Sequence, residues 1–142
     1  MQLVELILTL AFMGDAQITT FSPKEVTCLA QNIYHEARGE SVAGQRAVAH
    51  VTLNRVDDPR WPDTICDVVY QDSQFSWTKK APSVKDPVAY ENATMVALNA
   101  MMGVSPDPTN GATFFYDHNT VTPRWSHVFD TVAVIGDHTF QR

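Results

Sequence analysis

The stretch from about Val42 to Val56 constrains the fold more than any other part of the chain. It has helical length, Ser41 stands where it can cap the first turn, and Ala47, Val48, Ala49, Val51 and Leu53 leave it apolar almost all round. A helix without a polar face has to be covered on every side, so this one is expected at the centre of the molecule. The preceding segment supplies a first partner. Ser22-Pro23-Lys24-Glu25 reads as a helix start, with a capping serine, a proline at the first helical position and a glutamate completing a capping box. Val26, Leu29, Ala30, Ile33, Tyr34 and Ala37 then recur on one helical face, and Gly39 ends the helix.

Downstream, Asp57 to Pro62 is a loop with two prolines, and Asp63 or Thr64 caps a short helix through Val69. Gln71 to Pro82 reads as irregular. Asp86-Pro87 starts a further helix whose packing stripe is Ala89, Ala93, Val96, Ala97, Ala100 and Met101, stopped by Gly103. From Gly111 the texture changes. Ala112 to Tyr116 is rich in β-formers, Val128 to Ile135 alternates in part, and Gly136-Asp137 can turn the chain into His138-Thr139-Phe140. Helices first and then a small antiparallel sheet from the C-terminal part predict an α+β domain, with helices around a buried central one.

A chain of 142 residues suits one domain. Residues 21–142 are read as that domain and residues 1–20 as an N-terminal apolar segment. Within the latter, Leu3 to Met13 is apolar and Gly14-Asp15-Ala16 resembles a cleavage site, but no Lys or Arg precedes the run and Glu5 interrupts it. A first core helix, a weak export signal and an anchor are all open readings. The run is short for a bilayer, and no stable membrane span is expected. The formal net charge is −6, and the ten basic residues are scattered. A nucleic-acid partner held through phosphates needs a basic face, so none is expected. Lys79-Lys80, the longest basic run, reads as a solvated turn. Cys28 and Cys66 form no C-x-x-C; two buried thiols and one disulfide are both compatible with their spacing.

The segment richest in chemistry is Tyr34-His35-Glu36-Ala37-Arg38-Gly39-Glu40. Glu36 falls at the margin of the apolar face, near the helix C-terminus. The helix dipole and partial burial there both disfavour a negative charge, which raises a carboxyl toward the range of a general acid. The competing reading is a surface carboxylate paired with Arg38, Arg46 or Arg55. Glu40, at i+4, is a second carboxylate, although Gly39 weakens a shared helical face. A zinc-protease pattern fails because Gly39 stands where the second histidine is required. His50, His118, His127 and His138 lack metal-ligand spacing, and there is no G-x-S-x-G or phosphate loop, so neither a metal nor a cofactor is expected.

Four blocks carry a family likeness. CLAQNIYHEARGESVAGQRAVAHVTLNRV from Cys28 is followed by WPDTICDVVYQDSQFSW up to Trp77, by GATFFY over residues 111–116 and by IGDHTF over residues 135–140. In this order they resemble the SleB-like cell wall hydrolase family, whose founding members degrade spore cortex peptidoglycan. The likeness spans about residues 23–142. It implies a lysozyme-like fold and a monomeric domain acting on peptidoglycan glycan strands at the cell wall, in the periplasm or outside the cell. Relatives occur in Gram-negative bacteria and their phages, which brings in a phage endolysin or virion-associated lysin.

The resemblance further implies that Glu36, directly before Ala-Arg-Gly-Glu, is the catalytic acid. It would cleave the bond between N-acetylmuramic acid and N-acetylglucosamine as a lytic transglycosylase does, leaving a 1,6-anhydro ring and needing no second carboxylate. A hydrolytic muramidase with Glu40 or an aspartate as base, and a non-catalytic glycan binder, are the alternatives. Gln74, Phe75, Ser76 and Trp77 are expected to line the glycan groove, with Tyr116 at the cleft and Glu40 as a further substrate contact. Asn54-Arg55 is read as a structural buttress. The likeness also favours a Cys28–Cys66 disulfide.

Overall fold

The computed structural model describes residues 9–10 and 19–142. Of the apolar segment Leu3–Met13, it describes Thr9 and Leu10. These form a short strand, β1 (Thr9–Leu10), antiparallel to β2 (Thr19–Thr20), rather than a helical turn. The remainder of that segment, on which the export and anchor readings turn, lies outside the described residues.

Five helices follow: α1 (Pro23–Ala37), α2 (Val42–Val56), α3 (Ile65–Val69), α4 (Trp77–Lys80) and α5 (Pro87–Met101). Then come β3 (Phe114–Asp117), a 3-10 turn over Arg124–His127, β4 (Thr131–Ile135) and β5 (His138–Gln141). The last three strands make one antiparallel sheet in the order β3-β5-β4. Among the described residues, no helix is long and apolar enough to cross a membrane.

The central-helix expectation is met, and the packing explains it. Ala49 of α2 joins Leu29, Ile33, Val69, Val96 and Ala97 in a core shared with α1, α3 and α5. Ala47, Val48 and Val51 pack on Ala112 and Phe140, with Phe115, Ala133 and Ile135 beside them. One helix thus serves two cores, a helical one and one against the sheet, which is why it carries no polar face.

Three helix starts follow the local chemistry, while the serines before α1 and α4 make no side-chain cap bond. Ser41 Oγ accepts from Gly44 N at 3.2 Å, Thr64 Oγ1 from Asp67 N at 3.1 Å and Asp86 Oδ1 from Ala89 N at 3.0 Å. The capping box expected at α1 does not form. Ser22 makes no side-chain cap bond, and Glu25 Oε2 instead accepts the Cys66 N–H at 3.1 Å. The first turn of α3 has amides without helical partners and favours an anion, so Glu25 serves the neighbouring helix rather than its own. Beside it, Cys28 and Cys66 are joined in a disulfide with a Cα–Cα distance of 5.3 Å, fastening α1 to α3. The segment Gln71–Pro82, expected irregular, contains the single turn α4. Strand β3 starts at Phe114 rather than Ala112, because the carbonyls of Ala112 and Thr113 are taken by Asn54 Nδ2 and Arg55 Nε of α2.

Candidate active site

A cleft of about 870 Å³ opens where the last turn of α1, the segment 73–80 and β3 meet. Glu36 lies in that last turn of α1 and lines the cleft. It is half-buried, and among the described residues nothing donates a hydrogen bond to its carboxylate or pairs with it. Burial raises it from its ordinary 4.5 to about 7. Two of the arginines that might have neutralised it, Arg38 and Arg55, are engaged elsewhere. Arg38 donates to the buried Tyr34 hydroxyl, which also accepts the backbone N–H groups of Lys85 and Asp86 at 3.1 Å each. Arg55 donates to Thr113 O at 2.7 Å and to Gln74 Oε1 at 3.1 Å.

The second wall is the segment around Gln74. Left-handed residues stand at both of its ends, Ser73 at φ 65° and Ala81 at φ 42°. Such conformations are strained for residues with a Cβ and are retained where the surroundings demand them. Gln74, Phe75 and Ser76 line the cleft. Phe75 is buried and faces Phe115 at a ring-centroid distance of 6.2 Å, so it serves core and wall together. Trp77 does not line the cleft, which corrects that expectation. Its indole N–H donates to the buried Asn32 Oδ1 at 3.0 Å and its ring stacks on His35 at 4.5 Å, so it anchors the wall from behind. Lys79 and Lys80 are exposed in the single turn α4, as a solvated turn requires, and stand at the cleft.

The third wall is β3 with the loop that follows it. Tyr116 lines the cleft, edge-on to Trp125 at 5.8 Å. Phe114 stacks on Phe129 at 4.1 Å, and Asp117, Trp125 and His138 also face the space. Glu40 is placed differently from its expectation as a substrate contact. It is outside the cleft, where Oε1 accepts the Asp137 N–H at 2.9 Å and lies 3.3 Å from His138 Nδ1. The β4–β5 turn claims this carboxylate because its amide and the His138 ring converge there. Burial holds the His138 imidazole below its usual value, against the opposing pull of Glu40 and the aspartates nearby.

Sequence reasoning missed Arg55, Trp125, His138 and Asp117 as cleft residues. Arg55, expected as a structural buttress, is the one charged residue among those α2 buries. Burial lowers its guanidinium to about 10, which still leaves it charged at neutral pH. Trp125, Asp117 and His138 reach the cleft only through the sheet and its loop, and no local pattern announces that.

Residues 39–141 match the family model described as Cell Wall Hydrolase. The chain is 34% identical over 120 residues to a spore cortex-lytic enzyme of Halalkalibacterium halodurans, covering 84% of this chain and 35% of that protein. A spore cortex-lytic enzyme of Bacillus subtilis is 32% identical over 120 residues, covering 84% and 38%. The chain thus corresponds to little more than a third of either relative's length.

Two solved structures share the fold. One is the catalytic domain of the germination-specific lytic transglycosylase SleB from Bacillus anthracis, with a TM-score of 0.76, 31% identity, and coverage of 86% of this chain and 97% of that one. The other is the SleB catalytic domain from Bacillus cereus, at the same TM-score and identity and 92% of its chain. The architecture is an α+β domain, as its element order predicted, and lysozyme-like, as the family resemblance implied. The chain belongs to the cell wall hydrolase family.

Proposed function

We propose that this domain cleaves the glycan strands of bacterial peptidoglycan, between N-acetylmuramic acid and N-acetylglucosamine, as a lytic transglycosylase. The observation that carries the reading is Glu36: a carboxyl in a glycan-sized cleft, without a partner among the described residues, raised to about 7 by burial. Its role rests on that geometry, because the family match begins three residues later, at Gly39. Near neutral pH it exchanges a proton readily in both directions, as a group serving first as acid and then as base must.

In the forward step, protonated Glu36 gives its proton to the glycosidic oxygen as the bond from that oxygen to muramic C1 breaks. The muramic C6 hydroxyl oxygen then bonds to C1, and its proton passes to the Glu36 carboxylate. Glu36 ends protonated, the products carry a 1,6-anhydro ring and a free 4-hydroxyl, and no water is consumed. Gln74, Ser76 and Tyr116 offer polar groups to the sugars, while Phe75 supplies an apolar wall. The bacterial cell wall is the site of action, outside the reducing cytoplasm, where a Cys28–Cys66 disulfide persists.

Hydrolysis is the second reading, and Asp117 favours it as a second carboxylate lining the cleft. Glu40, committed to the β4–β5 turn, is the poorer candidate base. Digestion of purified sacculi tests both readings. Glu36→Gln is expected to lose at least about a hundredfold in rate while remaining folded, the scale of a removed general acid. Retained activity contradicts the assignment. Mass spectrometry of the wild-type products is expected to show anhydro-muramic ends, whereas reducing muramic ends establish hydrolysis instead.

A further inference from the structure

We infer that Arg55 is a positioning residue, turning the Gln74 side-chain amide so that its N–H groups face the cleft and select glycans that present an N-acetyl carbonyl there. The inference rests on the glycan-cleaving reading above and adds what that site discriminates.

Arg55 is 5% exposed, and its guanidinium lies 5.4, 5.8 and 5.7 Å from the ring centres of Trp61, Phe75 and Phe114. Its Nε–H donates to Thr113 O at 2.7 Å, which fixes the plane of the group. Among the described residues no carboxylate pairs with it. Its Nη1 points at Gln74, with Oε1 accepting at 3.1 Å.

A guanidinium has only donors, so the amide group that meets it has to be the oxygen. The assignment of oxygen and nitrogen, often ambiguous in a glutamine, is here dictated by chemistry. The Gln74 Nε2 group is consequently turned away from Arg55. Gln74 is exposed at the cleft wall, and among the described residues its Nε2 donates to nothing. The left-handed Ser73 directly before it sets the backbone from which this side chain projects.

Two N–H donors backed by a fixed cation suit an acceptor. Every sugar of the glycan carries an acylated amine, and the acetyl carbonyl is its strongest neutral acceptor. A de-N-acetylated sugar presents an ammonium there instead, all donors and positively charged, facing the Gln74 amide, the Arg55 charge behind it and Lys79 and Lys80 at the cleft edge. The site is built to accept the first and reject the second.

Kinetics of the wild type, Gln74→Glu and Gln74→Met on native and chemically de-N-acetylated sacculi test this. Glutamate at position 74 still accepts from Arg55 but cannot donate. Its melting temperature should therefore be no lower than wild type, while KM on native sacculi rises about tenfold, the scale of one lost hydrogen bond, with a smaller change in kcat. Its preference for N-acetylated over de-N-acetylated glycan should fall toward unity, and Gln74→Met should share the KM defect. In the Gln74→Glu background, Arg55→Lys should add no further KM defect, as expected of a group acting through Gln74. If Gln74→Glu keeps the wild-type KM and preference, Gln74 merely braces Arg55 and the inference is overturned. A wild type that cuts neither substrate overturns the glycan-cleaving reading itself, a result distinct from an active enzyme indifferent to acetylation.

Discussion

Two carboxylates four residues apart, Glu36 and Glu40, meet opposite fates at the junction of α1 and α2. Glu40 turns toward the sheet, where it accepts the Asp137 N–H and sits against His138. Glu36 turns toward the cleft and, among the described residues, has no partner. The first environment gives the carboxylate partners and uses it to hold the β4–β5 turn. The second destabilises the charge and leaves the group poised near neutrality. Sequence proximity therefore says little about role. The surroundings separate a fastening carboxylate from a reactive one, a division also seen where paired carboxylates have split duties.

The sharpest way to break this comparison is to neutralise each group in turn. Glu36→Gln should lose at least about a hundredfold in sacculus digestion, while Glu40→Gln leaves the folded enzyme's rate largely intact. Equal losses would mean that the two groups act as a pair. A smaller effect is expected on stability at the Glu40 end. A Cβ at Gly136 would come within 2.8 Å of Glu40 Oε2, and Gly136 has φ +57°. Gly136→Ala should therefore cost about 1–3 kcal/mol in a denaturant melt. Glu40→Ala should lower stability by up to about 1 kcal/mol, because water can reach the exposed Asp137 amide that loses its acceptor.

A further effect on stability lies at Glu36 and has the opposite sign. Its carboxyl titrates higher in the folded state than in the unfolded chain, so the fold binds its proton more tightly. That contribution to stability is complete below about 4.5, declines as pH rises, and is lost above about 7. Glutamine does not titrate. Glu36→Gln should thus melt like wild type in mild acid and gain on the order of 1–2 kcal/mol at pH 8, allowing for the solvent-facing side of the group. A variant less stable at pH 8 would show that the carboxylate is held by contacts after all.

Much of this was legible before any coordinates. The apolar circumference of Val42–Val56 announces a central helix, whereas the place of Glu36 at the edge of an apolar stripe fits a paired surface carboxylate as well as an acid, and only the family resemblance singles it out. The rest depends on contacts between distant segments. Nothing near Glu40 in sequence indicates that a turn about a hundred residues later will claim it. Trp77 looks like a groove aromatic until Asn32 takes its indole N–H. Glu25 fits a capping box perfectly well, yet the amide of Cys66, brought close by the α1–α3 packing, is the partner it finds. Arg55 shows the converse: the sequence offers it as a structural buttress, and only its burial and its bond to Gln74, both set by the fold, bring it to the cleft.

The most direct test of the central claim is a pH titration of the Glu36 side-chain carboxyl by carbon-13 NMR, assigned by its disappearance in Glu36→Gln. The account predicts a midpoint near 7. A midpoint near the ordinary 4.5 would show that the carboxylate is solvated or paired, and the assignment of Glu36 as the acid would then have no physical basis.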